Sequence, residues 1–597
     1  MSARNRKGIG LGDALLVWLG IAFVVIFGGG TYGAAHLGSW MAGIQAPPAH
    51  PIDLIAGLIK GRVPWPTQAT VAACVMAGLL LAVALVVLVA WRKGSSQRAR
   101  VDKAAPYLGR GKSLAPFSEK GAAAKAERLG VTGSPGIVVG KVVSTGQKFI
   151  QSWEDLSLDI WGPRTGKSTS RVIPAILDAP GAVVSTSNKR DVVDGTRGVR
   201  EATAPVWVFD PQKIAQEEPD WWWNPLAYVT DEEKAYKLTQ HFSSGSRVPG
   251  SKPDAYFDPK AEDILSSYFL AAALGNLPIT QVYLWVTEQV NREPINILKQ
   301  HDYELQYKGL ESTLELADKQ RDGIFGTAEK MVQCLKSRNT LRWVAPTGGA
   351  TVATDRRRLF NPHAFAASQE TIYILSKEGA GSAAPLTTAL TVAIAEAMEE
   401  RAERSGGRLP KPALFALDEL ANVVRWAALP DQFSHYGSKG LIVMGILQSW
   451  SQGVELWGEA NMRKIWSAAN VKVYGGGVAE EGFLRALSDL IGDYSYINVS
   501  ASSGRSGSSR SRQEAKERIF DVSNLAELDR GRAVVLASGA PATLVRTLPW
   551  YTGPHKDAVE ASINKYSPQP EEEPVPVSAA TTANPWITGK DAVSHGR

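Results

Sequence analysis

The sequence predicts a mostly parallel α/β sheet with helices on both faces, interrupted by an all-helical insertion and preceded by two apolar spans. Three observations carry this. Short apolar runs recur between about residues 136 and 535, separated by stretches of helical periodicity, the pattern of strands covered on both faces. One run, Leu156 to Ile160, enters a Gly/Pro turn, and Gly166-Lys167-Ser168-Thr169 then opens an apolar-periodic helix. Residues 14–32 and 70–91 are uncharged apolar stretches of about 20 residues, enough to cross a bilayer.

A chain of 597 residues is too long for one core, so several domains are expected. The net charge of +6 suits nucleic acid or anionic lipid as a partner without choosing between them. Only Cys74 and Cys334 are present, and neither has metal-ligand spacing, which excludes a disulfide framework or a zinc site.

The amino-terminal region comes first. Arg4, Arg6 and Lys7 precede the first apolar stretch, and Arg92, Lys93, Arg98 and Arg100 follow the second. Residues 34–68 between them carry only Lys60 and Arg62 as cations. The positive-inside rule then places both termini in the cytoplasm and this loop outside, in a multi-pass anchor of the cytoplasmic membrane. A cleaved signal peptide is the competing reading of the first stretch. Residues 101–130, basic and Ala/Gly-rich, read as a juxtamembrane linker.

The strands follow in order: 136–143, 156–160, 181–186, 205–209, 371–375, 413–417, 441–446 and 471–474. Ligands of such a sheet bind beyond the strands' carboxyl ends. The turn Gly162-Pro163-Arg164-Thr165-Gly166-Lys167-Ser168-Thr169 is a P-loop: backbone N–H groups and a helix N-terminus cradle phosphates. In that pattern Lys167 reaches the β- and γ-phosphates of ATP and Ser168 ligates Mg²⁺. The pattern wants glycine at 161, where this chain has Trp161. The strand 413–417 delivers Asp418-Glu419, a Walker B element in which Asp418 holds Mg²⁺ and Glu419 polarises the attacking water. Read alone, the Asp would be a helix cap. Gln448 ends the next strand, where a neutral amide can sense the γ-phosphate.

This ordered set resembles the TraG/TraD-type coupling proteins of type IV secretion and conjugation, within the wider FtsK/HerA-like motors. The resemblance spans residues 1–555. It includes the P-loop, Lys189 after the second motor strand, Asp210-Pro211, Asn224-Pro225-Leu226, Leu417-Asp418-Glu419-Leu420-Ala421-Asn422, Leu447-Gln448-Ser449 and Gly531-Arg532-Ala533-Val534-Val535. It implies a RecA-like P-loop NTPase sheet split into residues 131–257 and 346–556 around an all-α domain at 258–345. It further implies a homohexameric ATPase that couples DNA (single-stranded by expectation), a relaxase or another secreted protein to a type IV channel. Where the family carries an arginine acting across the subunit boundary, only Lys439 is available here, and lysine lacks the forked geometry.

Two other readings remain in view. One is an FtsK-like motor for double-stranded DNA, and the other a low-turnover nucleotide-binding membrane receptor or scaffold. Three segments each carry two meanings. Trp221-Trp222-Trp223 either stacks on bases or supports Asn224-Pro225 from within the core. Residues 500–512, with Arg505, Arg510 and Arg512, form either a phosphate-touching pore element or a solvated loop. The helical insertion either recruits substrate or only packs. The tail from Asp557 is expected to be disordered.

Overall fold

The computed structural model describes residues 29–95, 99–247, 251, 254–348, 350–377, 379, 383–504 and 507–568. The chain divides into two compact units, residues 1–100 and 101–597.

In the second unit the apolar runs form strands β1 (Ile137–Val142), β2 (Lys148–Gln151), β3 (Ser157–Ile160), β4 (Val183–Ser187) and β5 (Val206–Phe209). A short pair follows, β6 (Trp221–Trp222) and β7 (Arg358–Leu359), and then β8 (Thr371–Leu375), β9 (Ala413–Leu417), β10 (Leu441–Leu447) and β11 (Val471–Tyr474). The last four are β12 (Asp493–Gly504), β13 (Gly507–Arg518), β14 (Arg532–Ala537) and β15 (Thr543–Arg546). Eleven of these build one sheet in the order β2-β1-β15-β14-β11-β3-β10-β9-β4-β8-β5. From β11 to β5 all neighbours are parallel. The edge from β14 to β2 is antiparallel. Every residue of β4, β8, β9 and β10 is buried, as a sheet covered on both faces requires.

The insertion is helical as expected. Phe257–Leu274, Thr280–Thr287, Glu293–Gln300, Glu304–Leu314, Asp318–Met331 and Arg338–Val344 are helices. Ile264, Tyr268, Phe269, Trp285, Ile324 and Phe325 form their buried interior. The tryptophan run is support, since Trp221, Trp222 and Trp223 are all buried and Asn224 caps the following turn at Leu226 N–H, 3.1 Å.

Three expectations need correction. The linker at 101–130 is ordered: it forms helical turns Arg100–Tyr107 and Gly111–Phe117 and the helix Glu119–Arg128. Leu114 and Phe117 are buried, and Asp102 pairs with Arg532 at 2.7 Å, so charge and Ala/Gly content concealed a segment anchored by two apolar side chains and one ion pair. The tail begins later than expected. Lys556–Tyr566 is a helix packed on the helix Asp191–Glu201, with Gly198 N–H donating to Ser562 and Ser562 donating to Asp194 carbonyl; residues 569–597 lie outside the described residues. Residues 500–512 belong to a long hairpin, β12 with β13, paired from Asp493↔Arg518 to Gly504↔Gly507.

The membrane spans are the remaining difference. Most of the first, 14–28, lies outside the described residues. Among the described residues no helix is long and apolar enough to cross a membrane. In this unit a helix over 29–41 meets the helix Thr67–Ser95 where Gly38 approaches Ala69, so close that any side chain at 38 would collide with that backbone. Val71, Val75, Leu79, Leu81 and Leu85 on the longer helix are exposed.

Candidate active site

β3 lies between β10 and β11, and β9 lies beyond β10. The register sets Leu447 beside Ile160 and Gly445 beside Leu417, so the P-loop, Gln448 and Asp418-Glu419 leave three adjacent strands at one edge of the sheet. That edge is where phosphate-binding turns and strand-end carboxylates can meet.

The P-loop turn needs left-handed backbone at Arg164 (φ 60°) and Gly166 (φ 97°). Thr165 Oγ1 donates to Gly162 carbonyl at 2.5 Å, and Thr169 Oγ1 to Gly166 carbonyl at 3.0 Å. The helix opens with a wide turn over Ser168–Val172 before the α-helix Ile173–Asp178, the kind of irregularity often found at functional sites.

Trp161 is accommodated away from the phosphate path. Its indole is buried, and a Cβ built on Gly475 would lie 2.0 Å from the ring. Gly162 N–H donates to Gly476 carbonyl at 2.9 Å, and a Cβ on Gly162 would strike Gly477 carbonyl at 2.1 Å. Gly475-Gly476-Gly477 thus takes up the bulk that a glycine at 161 would have avoided. Burying so large a side chain contributes on the order of 3 kcal/mol.

The predicted residues converge. Lys167 Nζ donates to Asp418 Oδ1 at 2.7 Å and also to Glu419 Oε1. Ser168 Oγ donates to Asp418 Oδ2 at 3.3 Å. Gln448 Nε2 donates to Glu419 Oε2 at 2.6 Å, and Asn422 Nδ2 to the same oxygen at 3.2 Å. Burial raises the Asp418 pKa above its ordinary value although Lys167 opposes the shift. Burial also works against the Lys167 cation, but Asp418 and Glu419 outweigh it and hold the ammonium pKa above its ordinary value. Glu419 itself sits in left-handed backbone, φ 57°, a conformation costly for a non-glycine residue and characteristic of functional sites.

Lys189 leaves the end of β4, next to β9, with an exposed side chain; its backbone N–H donates to Ser187 Oγ at 3.1 Å. Lys439 is not brought to this site. It precedes β10 at the amino end of the strand, opposite Gln448, and pairs with Glu399 at 2.8 Å and Glu403 at 3.1 Å. Asp210 is a structural carboxylate, buried and accepting from the N–H groups of Ile214 (2.6 Å) and Ala215 (2.8 Å).

Two supports escaped the sequence. Thr186 Oγ1 holds Asp418 carbonyl at 2.8 Å from β4. Behind the P-loop, buried Arg171 donates to Asp159 (2.8 Å), Gln151 (2.6 Å) and Ser157 (3.1 Å). A charged residue on an apolar-periodic helix was the available signal for Arg171, and its partners on β2 and β3 are visible only once the strands are placed.

Residues 412–530 match the family model described as the TraM recognition site of TraD and TraG. The fold is similar to that of the conjugative coupling protein TrwB in its unbound monoclinic form, with TM-score 0.50 and 15% identity over 71% of this chain and 91% of that one. The chain is similar to the TraG/TraD-type coupling proteins. A TrwB structure in complex with ADP and Mg²⁺ matches with TM-score 0.50 and 14% identity, covering 71% of this chain and 92% of that one. No curated protein sequence matches the chain. The TraG/TraD-type match begins just before β9 and runs past β13, so it takes in Asp418, Glu419, Gln448 and the hairpin, while the P-loop lies before it.

Proposed function

We propose that the chain is a membrane-anchored ATPase that couples DNA, alone or bound to a relaxase, to a type IV channel and drives its transfer by hydrolysing ATP. The observation that carries the ATPase reading is the meeting of Lys167, Ser168, Asp418, Glu419 and Gln448 at the carboxyl ends of β3, β9 and β10. The donor set fits Mg²⁺, a hard cation that takes carboxylate and hydroxyl oxygens and keeps several waters: Ser168 Oγ and the Asp418 carboxylate are the two protein groups beside it. When bound, the ion neutralises phosphate charge. Lys167 turns from its two carboxylates to the β- and γ-phosphates of ATP, the P-loop N–H groups hold the phosphate oxygens, and Glu419 orients water for in-line attack. Gln448, already bonded to Glu419, carries the state of the γ-phosphate to β10.

The coupling role rests on the TraG/TraD-type match, whose description names recognition of TraM, and points to a partner of the relaxosome kind. The membrane placement rests on the uncharged run 70–91 and the exposed apolar side chains along it. A homohexameric ring follows from the family resemblance alone.

The decisive test is ATP hydrolysis with and without single-stranded DNA, on the full chain in detergent. Stimulation supports the motor. Nucleotide binding without turnover overturns it in favour of a receptor. Equal stimulation by double strands, with translocation along them, favours an FtsK-like pump. A reporter fused near Pro48 should read as external, and a cytosolic signal there removes the two-span anchor. Soluble fragments should begin at Val101, because Leu114 and Phe117 are part of the motor's core.

A further inference from the structure

The hairpin β12–β13 is used by nothing described so far. It is a separate two-stranded ribbon outside the main sheet. Twelve residues per strand extend it about 40 Å, and isolated two-stranded ribbons are marginally stable in water without something to bind.

The register sorts its residues by face. Directly opposed residues and alternate residues along a strand share a face. Arg510, Arg512, Glu514, Lys516 and Arg518 therefore lie on one face, opposite Ala501, Val499, Ile497, Ser495 and Asp493. The other face carries Tyr494, Tyr496, Asn498, Gln513, Ser511 and Glu517, with no cation. The tyrosine face is anchored at its root: Tyr107 stacks on Tyr494 with ring centroids 3.9 Å apart, and Tyr494 donates to Glu517 at 2.8 Å. At the root of the cationic face Arg518 pairs with Asp489. Ser495, Ile497, Glu514 and Lys516 are exposed there, and beyond Glu514 the face has Arg510 and Arg512 and no acid.

We infer that this cationic face of the hairpin is a sequence-independent binding site for the phosphate backbone of single-stranded nucleic acid. The inference rests on the motor reading above and adds the element that grips the substrate. Alternate strand residues repeat every 6.7 Å or so, placing Arg510, Arg512 and Lys516 as a row of cations along an extended polyanion. The outer half of the ribbon is Ser, Gly and Ala, which offers no apolar anchor for a protein surface but lets a sugar–phosphate chain approach the backbone. A nucleic acid fits better than a lipid surface because the hairpin is continuous with the nucleotide site. Gly476 carbonyl holds Gly162 of the P-loop, and the chain runs from there through the helix Glu481–Ile491 into β12.

The test compares the full chain with the triple variant Arg510→Gln, Arg512→Gln, Lys516→Gln, using fluorescence anisotropy of a labelled mixed-sequence single strand over a salt series. Three lost phosphate contacts should lower affinity on the order of tenfold or more and flatten the log–log salt slope by about 2. Nucleotide binding and DNA-free hydrolysis should stay unchanged. A control on the opposite face, Asn498→Ala, Ser511→Ala, Gln513→Ala, should leave the affinity and the salt slope as in the parent. Parental affinity and slope in the triple variant overturn the site while leaving the motor reading intact. Equal loss in the opposite-face control also overturns it, since ribbon integrity rather than charge would then matter. Loss of binding to phosphatidylserine–phosphatidylcholine vesicles with DNA binding retained assigns the face to lipid instead. If the unaltered chain neither binds the oligonucleotide nor responds to it, the motor reading fails and this inference with it.

Discussion

Lys167 and Arg171 lie one helical turn apart after β3, and each meets carboxylates at the end or in the body of a strand. Lys167 faces the open edge of the sheet and shares Asp418 and Glu419, with its side chain 11% exposed. Arg171 faces the interior and meets Asp159 with both side chains fully enclosed. The partners differ in what can replace them. A phosphate can take the place of Asp418 and Glu419 on Lys167, because the P-loop's N–H groups point to the same space. Nothing can reach Arg171, whose bonds tie the helix to β2 and β3. One helix thus presents an exchangeable ion pair toward the chemistry and a permanent one behind it.

The largest effects should come from the exchangeable side. Lys167→Ala and Glu419→Gln should each lower ATP hydrolysis by about 10³-fold or more, as loss of a charge or of the group orienting water does in related chemistry. Glu419→Gln should still bind ATP; a parental rate in this variant sinks the assignment of Glu419. Arg171→Ala should instead act on stability, costing about 3–5 kcal/mol because it strands Asp159 in the core. Chemical denaturation measures it, and a loss under 1 kcal/mol would mean the pair is not permanent.

His241 sharpens the contrast as a buried group without an ion-pair partner. Burial lowers its pKa to about 4, with Glu396 opposing and Lys237 reinforcing the shift. A depressed histidine is neutral in the fold, so its contribution is complete above pH 6.5 and is lost as pH falls toward 4. The loss amounts to about 3 kcal/mol over that window. Stability measured against pH should show this slope, and His241→Gln should remove most of it.

The smallest effect is expected at Lys439. Its pairs with Glu399 and Glu403 are partly exposed, so Lys439→Ala should change stability by under about 1 kcal/mol. A large loss of DNA-stimulated hydrolysis, varying non-linearly when Lys439→Ala and Glu419→Gln subunits are mixed, would restore it as a cation acting on the neighbouring subunit.

Local chemistry was enough to determine the strands of the motor, the P-loop, Asp418-Glu419 and Gln448. A strand covered on both faces must be apolar throughout, and a phosphate-binding turn must be short and glycine-bearing. Those constraints act within a few residues, so the sequence carries them. Tertiary structure alone decided how Trp161 is tolerated, since the space it needs comes from Gly475, which reaches it across the pairing of β3 with β11. It alone joined Arg171 to Asp159, packed residues 101–128 and 556–566 against the motor, and turned a Ser/Gly/Arg stretch into a ribbon with one cationic face. In each case the deciding partner is distant in the chain or set by register, and neither composition nor periodicity contains that information.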